Sequence, residues 1–255
     1  MNKLSFIMIL FFLSCQNGIN VDTTKHTATD PIADITYLNG FFYTTNIDAS
    51  GNAGSQIDLY KFEESIPIDR YPMELNGQGY MAAANDGSNL YFQPRFTDYI
   101  FKSTPLGEIF WYQPDNFSDN TSDTTSTFMY WRGRGLAWAD SNLVVFYRHK
   151  DDSTLYRGRY LHIDNDNFQT VLDTTVIWNH LNSNGAYAME YKPDTNGFWV
   201  LATDILNQYI LFEVDANFVY NDNNNYLIID GYPMGFAWMD GTLYLSYQER
   251  QILPE

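Results

Sequence analysis

The chain has 255 residues, with 31 acidic against 14 basic side chains and a net charge of −17. So acidic a surface repels phosphate backbones and argues against a nucleic-acid partner, while it suits solubility outside the cell. A single cysteine rules out an intrachain disulfide, and 20 tyrosines with 18 phenylalanines tilt the composition towards strand.

Met1-Asn2-Lys3 opens the chain, and residues 4–13 form an apolar run broken only by Ser5. A short positive end before about ten apolar residues is the pattern of a secretory signal, too short to span a bilayer as a helix. Phe12-Leu13-Ser14-Cys15 follows at once. This stretch resembles the lipobox of bacterial lipoproteins, where a small residue precedes a cysteine that is lipidated and becomes the new N-terminus. The resemblance implies a signal peptide over residues 1–15, a lipid on Cys15, and a protein held at a bacterial membrane, at the outer membrane or cell surface. Without the lipid the protein would be periplasmic or secreted. Residues 16–32 are polar and rich in Thr, Asp and Asn, the composition of a flexible tether.

Residues 33–255 carry no convincing helical period. Short apolar or alternating runs separated by Gly, Asn, Asp and Pro dominate, which is the all-β signature. One pattern recurs: a small-residue start, an apolar strand, a turn, and a second apolar strand. Gly79 leads one copy, with a turn at 85–89 and a strand at 90–92. Gly135, Gly185 and Gly235 lead the others, with turns at 140–142, 193–197 and 240–241. A weaker copy turns at Asn39-Gly40. Phe42, Leu90, Leu143, Phe198 and Leu243 open the core of the second strands, at a spacing of about fifty residues. Third strands are expected over 57–62, 99–102, 155–161 and 209–214, and fourth strands over 68–75, 109–112, 170–177 and 226–229. Four antiparallel strands per fifty residues make a propeller blade. The fold class is therefore all-β, a β-propeller of about five four-stranded blades with the last incomplete in sequence. A β-sandwich with coincidental turn spacing is the alternative. Polar tracts at 115–127 and 221–225 read as exposed loops.

The Gly-led strand followed by Asp-Gly-x-Leu-Tyr, clearest over 235–245, 135–146 and 79–92, resembles repeats of the NHL propellers and the SMP-30/gluconolactonase-like enzymes. Glutaminyl cyclotransferases share a similar rhythm, although their catalytic positions find no match here. The SMP-30 resemblance implies a divalent metal such as calcium, held in the central channel by carboxylate and amide ligands. The comparable places are the blade mouths, at Gln78, Arg132, Arg134, Asn182, Asn184 and Glu190. Two arginines oppose a cation and suit an anionic ligand better. Asp164-Asn165-Asp166-Asn167 lacks the Gly and distal Glu of an EF-hand loop and reads as a β-turn. His26, His149, His162 and His180 have no metal-ligand spacing. Trp138 and Trp238 share a repeat position, which points to packing between blades.

No catalytic constellation emerges and no cofactor is called for. The expectation is a membrane-anchored propeller that binds a protein, peptide or carbohydrate. The alternatives are a metal-dependent hydrolase of the gluconolactonase type, and a fragment without independent function.

Overall fold

Alternating apolar runs and tight turns yield twenty strands, one short 3-10 turn and no α-helix among the described residues. These are residues 6–9, 25–28, 32–46, 56–63, 66–76, 81–94, 100–112, 131–164, 167–220, 226–239 and 242–247 of a computed structural model. No helix among them is long and apolar enough to cross a membrane. Cys15 and the polar tracts 115–127 and 221–225, expected as loops from the sequence, lie outside the described residues.

Phe6–Ile9 (β1) pairs antiparallel with Lys25–Ala28 (β2). The first four-stranded sheet comprises Ile32–Leu38 (β3), Phe41–Asn46 (β4), Gln56–Glu63 (β5) and Ile66–Asn76 (β6). The second comprises Met81–Asn85 (β7), Leu90–Pro94 (β8), Ile100–Ser103 (β9) and Ile109–Tyr112 (β10). Trp131–Ala139 (β11), Asn142–His149 (β12), Leu155–Asp164 (β13) and Asn167–Ile177 (β14) form the third. Leu181–Lys192 (β15), Gly197–Asp204 (β16), Tyr209–Asp215 (β17) and Leu227–Ile229 (β18) form the fourth. Pro233–Met239 (β19) and Thr242–Tyr247 (β20) close the series as a two-stranded sheet. The chain is thus an all-β propeller with four complete blades. Every expected third and fourth strand is present to within a few residues.

The first strands β3, β7, β11, β15 and β19 lie side by side in chain order, and β19 touches β3 as well as β15. β1 lies beside β20, and β2 beside β6. The hairpins set a common register. Tyr37 faces Phe42, Asn85 faces Leu90, Trp138 faces Leu143, Tyr191 faces Phe198, and Trp238 faces Leu243. Counting back from these pairs corrects one expectation. The residues equivalent to Gly135 and Gly235 are Asp34, Ala82 and Ala188, whereas Gly79 and Gly185 stand three residues too early. Inner strands also begin before their glycines, passing through irregular pairing at Gly133/Gly135, Ala186/Ala188 and Pro233/Gly235.

Crowding between inner strands explains the small residues. A Cβ on Gly135 would stand 2.8 Å from Cβ of Met189 on the neighbouring blade, and one on Gly235 would stand 2.4 Å from Cα of Asp34. Farther out, each sheet buries both faces against its neighbours, so second strands read as continuous apolar runs. All eight residues of β16 are buried. The cluster between the third and fourth sheets holds Phe146, Tyr156, Trp178, Phe198, Phe212 and Phe218. Trp138 stacks on Tyr91 at 5.7 Å across the second and third sheets, and Trp238 packs against the core between the fourth sheet and β19–β20. Their shared repeat position therefore serves blade packing, as the sequence suggests.

Candidate functional site

The beginnings of the inner strands meet around a cavity of about 240 Å³. Its lining takes Asp34 from β3, Ala82 from β7, Gly133 and Arg134 from β11, Asn184 and Tyr187 from β15, and Pro233 and Met234 from β19. Thr203 at the end of β16 and Tyr209 at the start of β17 complete it. The volume lies below the range of about 300–1,000 Å³ usual for drug-sized ligands, so the cavity has room for a small molecule or one chain end.

Arg134 sits where the β11–β12 register shifts, and it is buried to 5% exposure. Nearby, the Tyr156 hydroxyl accepts a hydrogen bond from the Ala186 N–H at 3.2 Å. Burial pushes the Tyr156 phenol up, while the Ala186 N–H and the positive charges of Arg148 and Arg134 pull it back. Two guanidinium groups therefore act on one spot between the third and fourth blades. Arg148 is held there by donating from Nη1 to the Ser183 carbonyl. The Asn182 side-chain oxygen accepts from the N–H groups of Asn184 (2.8 Å) and Gly185 (3.3 Å) and shapes the irregularly paired start of β15 that presents Asn184. Asn182 in turn donates to the Asn207 side-chain oxygen at 2.9 Å. Tyr187 and Tyr209 meet edge to face at 6.1 Å.

Asp34 forms the opposite wall, buried to 3% exposure. Its Oδ1 accepts from the N–H groups of Ile35 and Phe236, both at 3.0 Å, and its Oδ2 accepts from the N–H of Ala83 at 3.2 Å. One carboxyl group thereby joins β3, β7 and β19. Burial raises its pKa well above the ordinary carboxylate range, against the lowering effect of these three donors. Glu190 is also raised, first by burial and then by the charge of Asp34. It stands six residues beyond Asn184 on β15 and keeps partial exposure.

The expected residues therefore divide. Arg134 and Asn184 line the cavity. Arg132 stands on β11 opposite Arg148, with its side chain outside the described set. Gln78 lies outside the described residues. Glu190 belongs deeper along β15 than the mouth. Sequence reasoning missed Asp34, Tyr187, Thr203 and Tyr209. For Asp34 there was a signal: counted from the Asn39-Gly40 turn, it falls at the position that holds Gly135 and Gly235 in other repeats.

The divalent metal implied by the gluconolactonase-like resemblance does not fit these residues. Among the described residues no three His, Cys, Asp or Glu side chains group to hold a metal ion. Arg134 shares the cavity with Asp34 and opposes a cation at its own wall. Of the histidines, His149 accepts through Nδ1 from the N–H groups of Asp151 and Asp152, and His180 stacks on Tyr220 at 4.2 Å.

No protein-family model matches the chain, and no curated protein matches its sequence. Among solved structures it is similar to the glutaminyl cyclase of Myxococcus xanthus, with a TM-score of 0.51 and 15% identity over 88% of each chain. It is also similar to virginiamycin B lyase from Staphylococcus aureus, with a TM-score of 0.46 and 10% identity over 95% of this chain and 81% of that one. These neighbours are β-propellers, and at such identities the likeness concerns the fold alone.

Proposed function

We propose that this chain is an exported, lipid-anchored binding module, a five-bladed propeller that captures the end of a peptide or carbohydrate at the mouth of its inner strands. The convergence of Arg134, Asn184, Tyr187, Thr203 and Tyr209 on one cavity carries this reading. A pocket with an aromatic wall and a few directed polar groups is the usual form of a small-ligand site. In this reading β19–β20 is the inner half of the fifth blade, seated between β15 and β3. The net charge of −17 argues against nucleic acid as the partner.

Two experiments test the reading. Tyr209→Ala should weaken capture of peptides or oligosaccharides from a defined array by at least about tenfold, the scale of a hot-spot aromatic. Array binding that Tyr209→Ala and Asn184→Ala both leave untouched overturns the assigned site. For the anchor, a clickable fatty acid fed to expressing bacteria should label the wild-type chain. Cys15→Ala should carry no label and should leave the membrane fraction. An unlabelled wild-type chain in the soluble fraction overturns the anchor.

A further inference from the structure

Two large aliphatic side chains stand in solvent at the rim of the cavity. Ile205 and Leu206, 64% and 69% exposed, lie in the turn between β16 and β17. Thr203 and Tyr209 pair across the base of that turn, and both line the cavity. The Ile205 N–H donates to the His180 carbonyl at 3.1 Å, and the Asn207 side-chain oxygen accepts from Asn182 at 2.9 Å. These bonds fix the turn to the start of β15, beside Asn184. Tyr232 meets the Tyr209 ring edge to face at 5.5 Å and directly precedes Pro233 and Met234 of the cavity wall.

The turn itself has no need of aliphatic residues, because its backbone closes through Asp204. Asp204 Oδ1 accepts from the N–H groups of Leu206 and Gln208, both at 2.8 Å, and the Asp204 carbonyl accepts from Asn207 at 3.0 Å. The Asp204 N–H donates to the Gln208 carbonyl at 2.9 Å. The matching turn of the third blade, between β12 and β13, also uses an aspartate, with Asp152 Oδ1 accepting from the Thr154 N–H at 2.9 Å. There the chain reads Lys150-Asp151-Asp152-Ser153, the polar residues expected of a turn in water. Single apolar residues on a surface are ordinary, but an adjacent pair on a well-tied turn at a cavity mouth marks a contact surface.

The chemistry of this rim separates the two ligand classes. A cavity of about 240 Å³ takes one chain end, so the rest of the ligand leaves past the rim. An oligosaccharide leaving over Ile205 and Leu206 would lay hydroxyl groups against carbons that offer no hydrogen bond, at a desolvation cost. A peptide would bury an apolar side chain there, while Asn184 and Thr203 offer amide and hydroxyl groups to its backbone. The net charge of −17 disfavours an acidic peptide.

Resting on the proposed function, we infer that the ligand is a peptide of neutral or basic composition. Its terminal residue enters the cavity, and an aliphatic or aromatic residue next to that end packs on Ile205 and Leu206. No covalent step is involved.

The test is an array of tetrapeptides immobilised through either end, with Leu or Ser next to the free terminus and Gly, Ala or Lys elsewhere, beside tetrasaccharides. The purified full chain should bind leucine peptides at least about tenfold more tightly than their serine counterparts, the scale of one buried aliphatic side chain, and more tightly than any sugar. The double variant Ile205→Ser, Leu206→Ser should lose that preference. Both positions are exposed, so its melting temperature should stay within about 3 °C of wild type. It should also match wild type in co-sedimentation with phosphatidylethanolamine–phosphatidylglycerol vesicles and in gel filtration. A vesicle or self-association defect confined to the variant makes the turn a membrane or subunit contact and overturns the inference. A larger fall in melting temperature marks structural residues and overturns it too, as does a wild-type chain that captures no tetrapeptide. Sugars bound as tightly as leucine peptides, or leucine and serine peptides bound alike, also overturn it. If such ligands still depend on Tyr209, the binding-module reading stands. If they ignore both Tyr209 and Asn184, that reading falls as well.

Discussion

Replacing Asp34 with alanine should lower the melting temperature by roughly 8–16 °C, for a loss of about 4 kcal/mol at about 2–4 °C per kcal/mol in a chain of this size. The change strands the N–H groups of Ile35, Ala83 and Phe236, all in buried strands, and each orphaned donor costs about 1–3 kcal/mol. The bond to Phe236 spans 202 residues and ties β19 to β3, so its loss acts on the closure of the ring. Asparagine should be only a partial replacement, since its NH₂ would face one of the three donors.

The pH dependence has a definite sign. Burial raises Asp34 above its ordinary value of 3.8, so the folded chain binds more protons than the unfolded chain between that value and the raised one. The stability due to this group is greatest below that window and declines as pH rises through it. Glu190, raised from 4.5, acts in the same direction and is coupled to Asp34. The gap in melting temperature between wild type and Asp34→Ala should therefore be wider at pH 5 than at pH 8. Scanning calorimetry at both values measures it, and a gap that widens towards pH 8 would mean that the three donors outweigh burial.

A second large effect is expected at Phe218. Its ring is fully buried, stacked on Phe198 at 5.3 Å and on Phe146 at 5.9 Å, and it meets Tyr160 edge-on. Its carbonyl accepts from Nε1 of Trp178 at 3.1 Å. Phe218 holds this place with φ at +62°, a left-handed conformation that costs a bulky residue of order 1 kcal/mol. The N–H of Phe218 donates to the Asp215 carbonyl at 2.9 Å and fixes the turn. Phe218→Ala should cost about 3–5 kcal/mol, the range for emptying a buried phenylalanine site. Phe218→Gly loses the same ring but relieves the backbone, so it should be less damaging than its extra chain entropy suggests, within about 1 kcal/mol of alanine. Urea denaturation of both variants checks the pair. A loss below about 1 kcal/mol for alanine would show that the stacked rings close over the space.

Comparison of the two sites shows where sequence reading stops. Phe42, Leu90, Leu143, Phe198 and Leu243 could be aligned from their turns, because a hairpin is local and Asn39-Gly40 or Asp140-Ser141 supply the positive φ it needs. The third and fourth strands followed from alternation and length. The glycines misled at Gly79 and Gly185, since glycine also serves positive-φ positions, as Gly185 does at φ +64°, and not crowded inner-strand positions alone. Arg134 and Asn184 were legible as candidates because both lie just ahead of an apolar strand. Tyr209 was not, and Asp34 showed only its place counted from the Asn39-Gly40 turn, because the contacts of both depend on which strands adjoin around the ring. By itself, then, the amino-acid order determined the strands, their turns and the all-β repeat, through contacts among residues near in sequence. Only the tertiary structure decided that Asp34 clasps three inner strands. That clasp depends on strands about fifty to two hundred residues apart meeting at one ring, and no local pattern encodes that meeting.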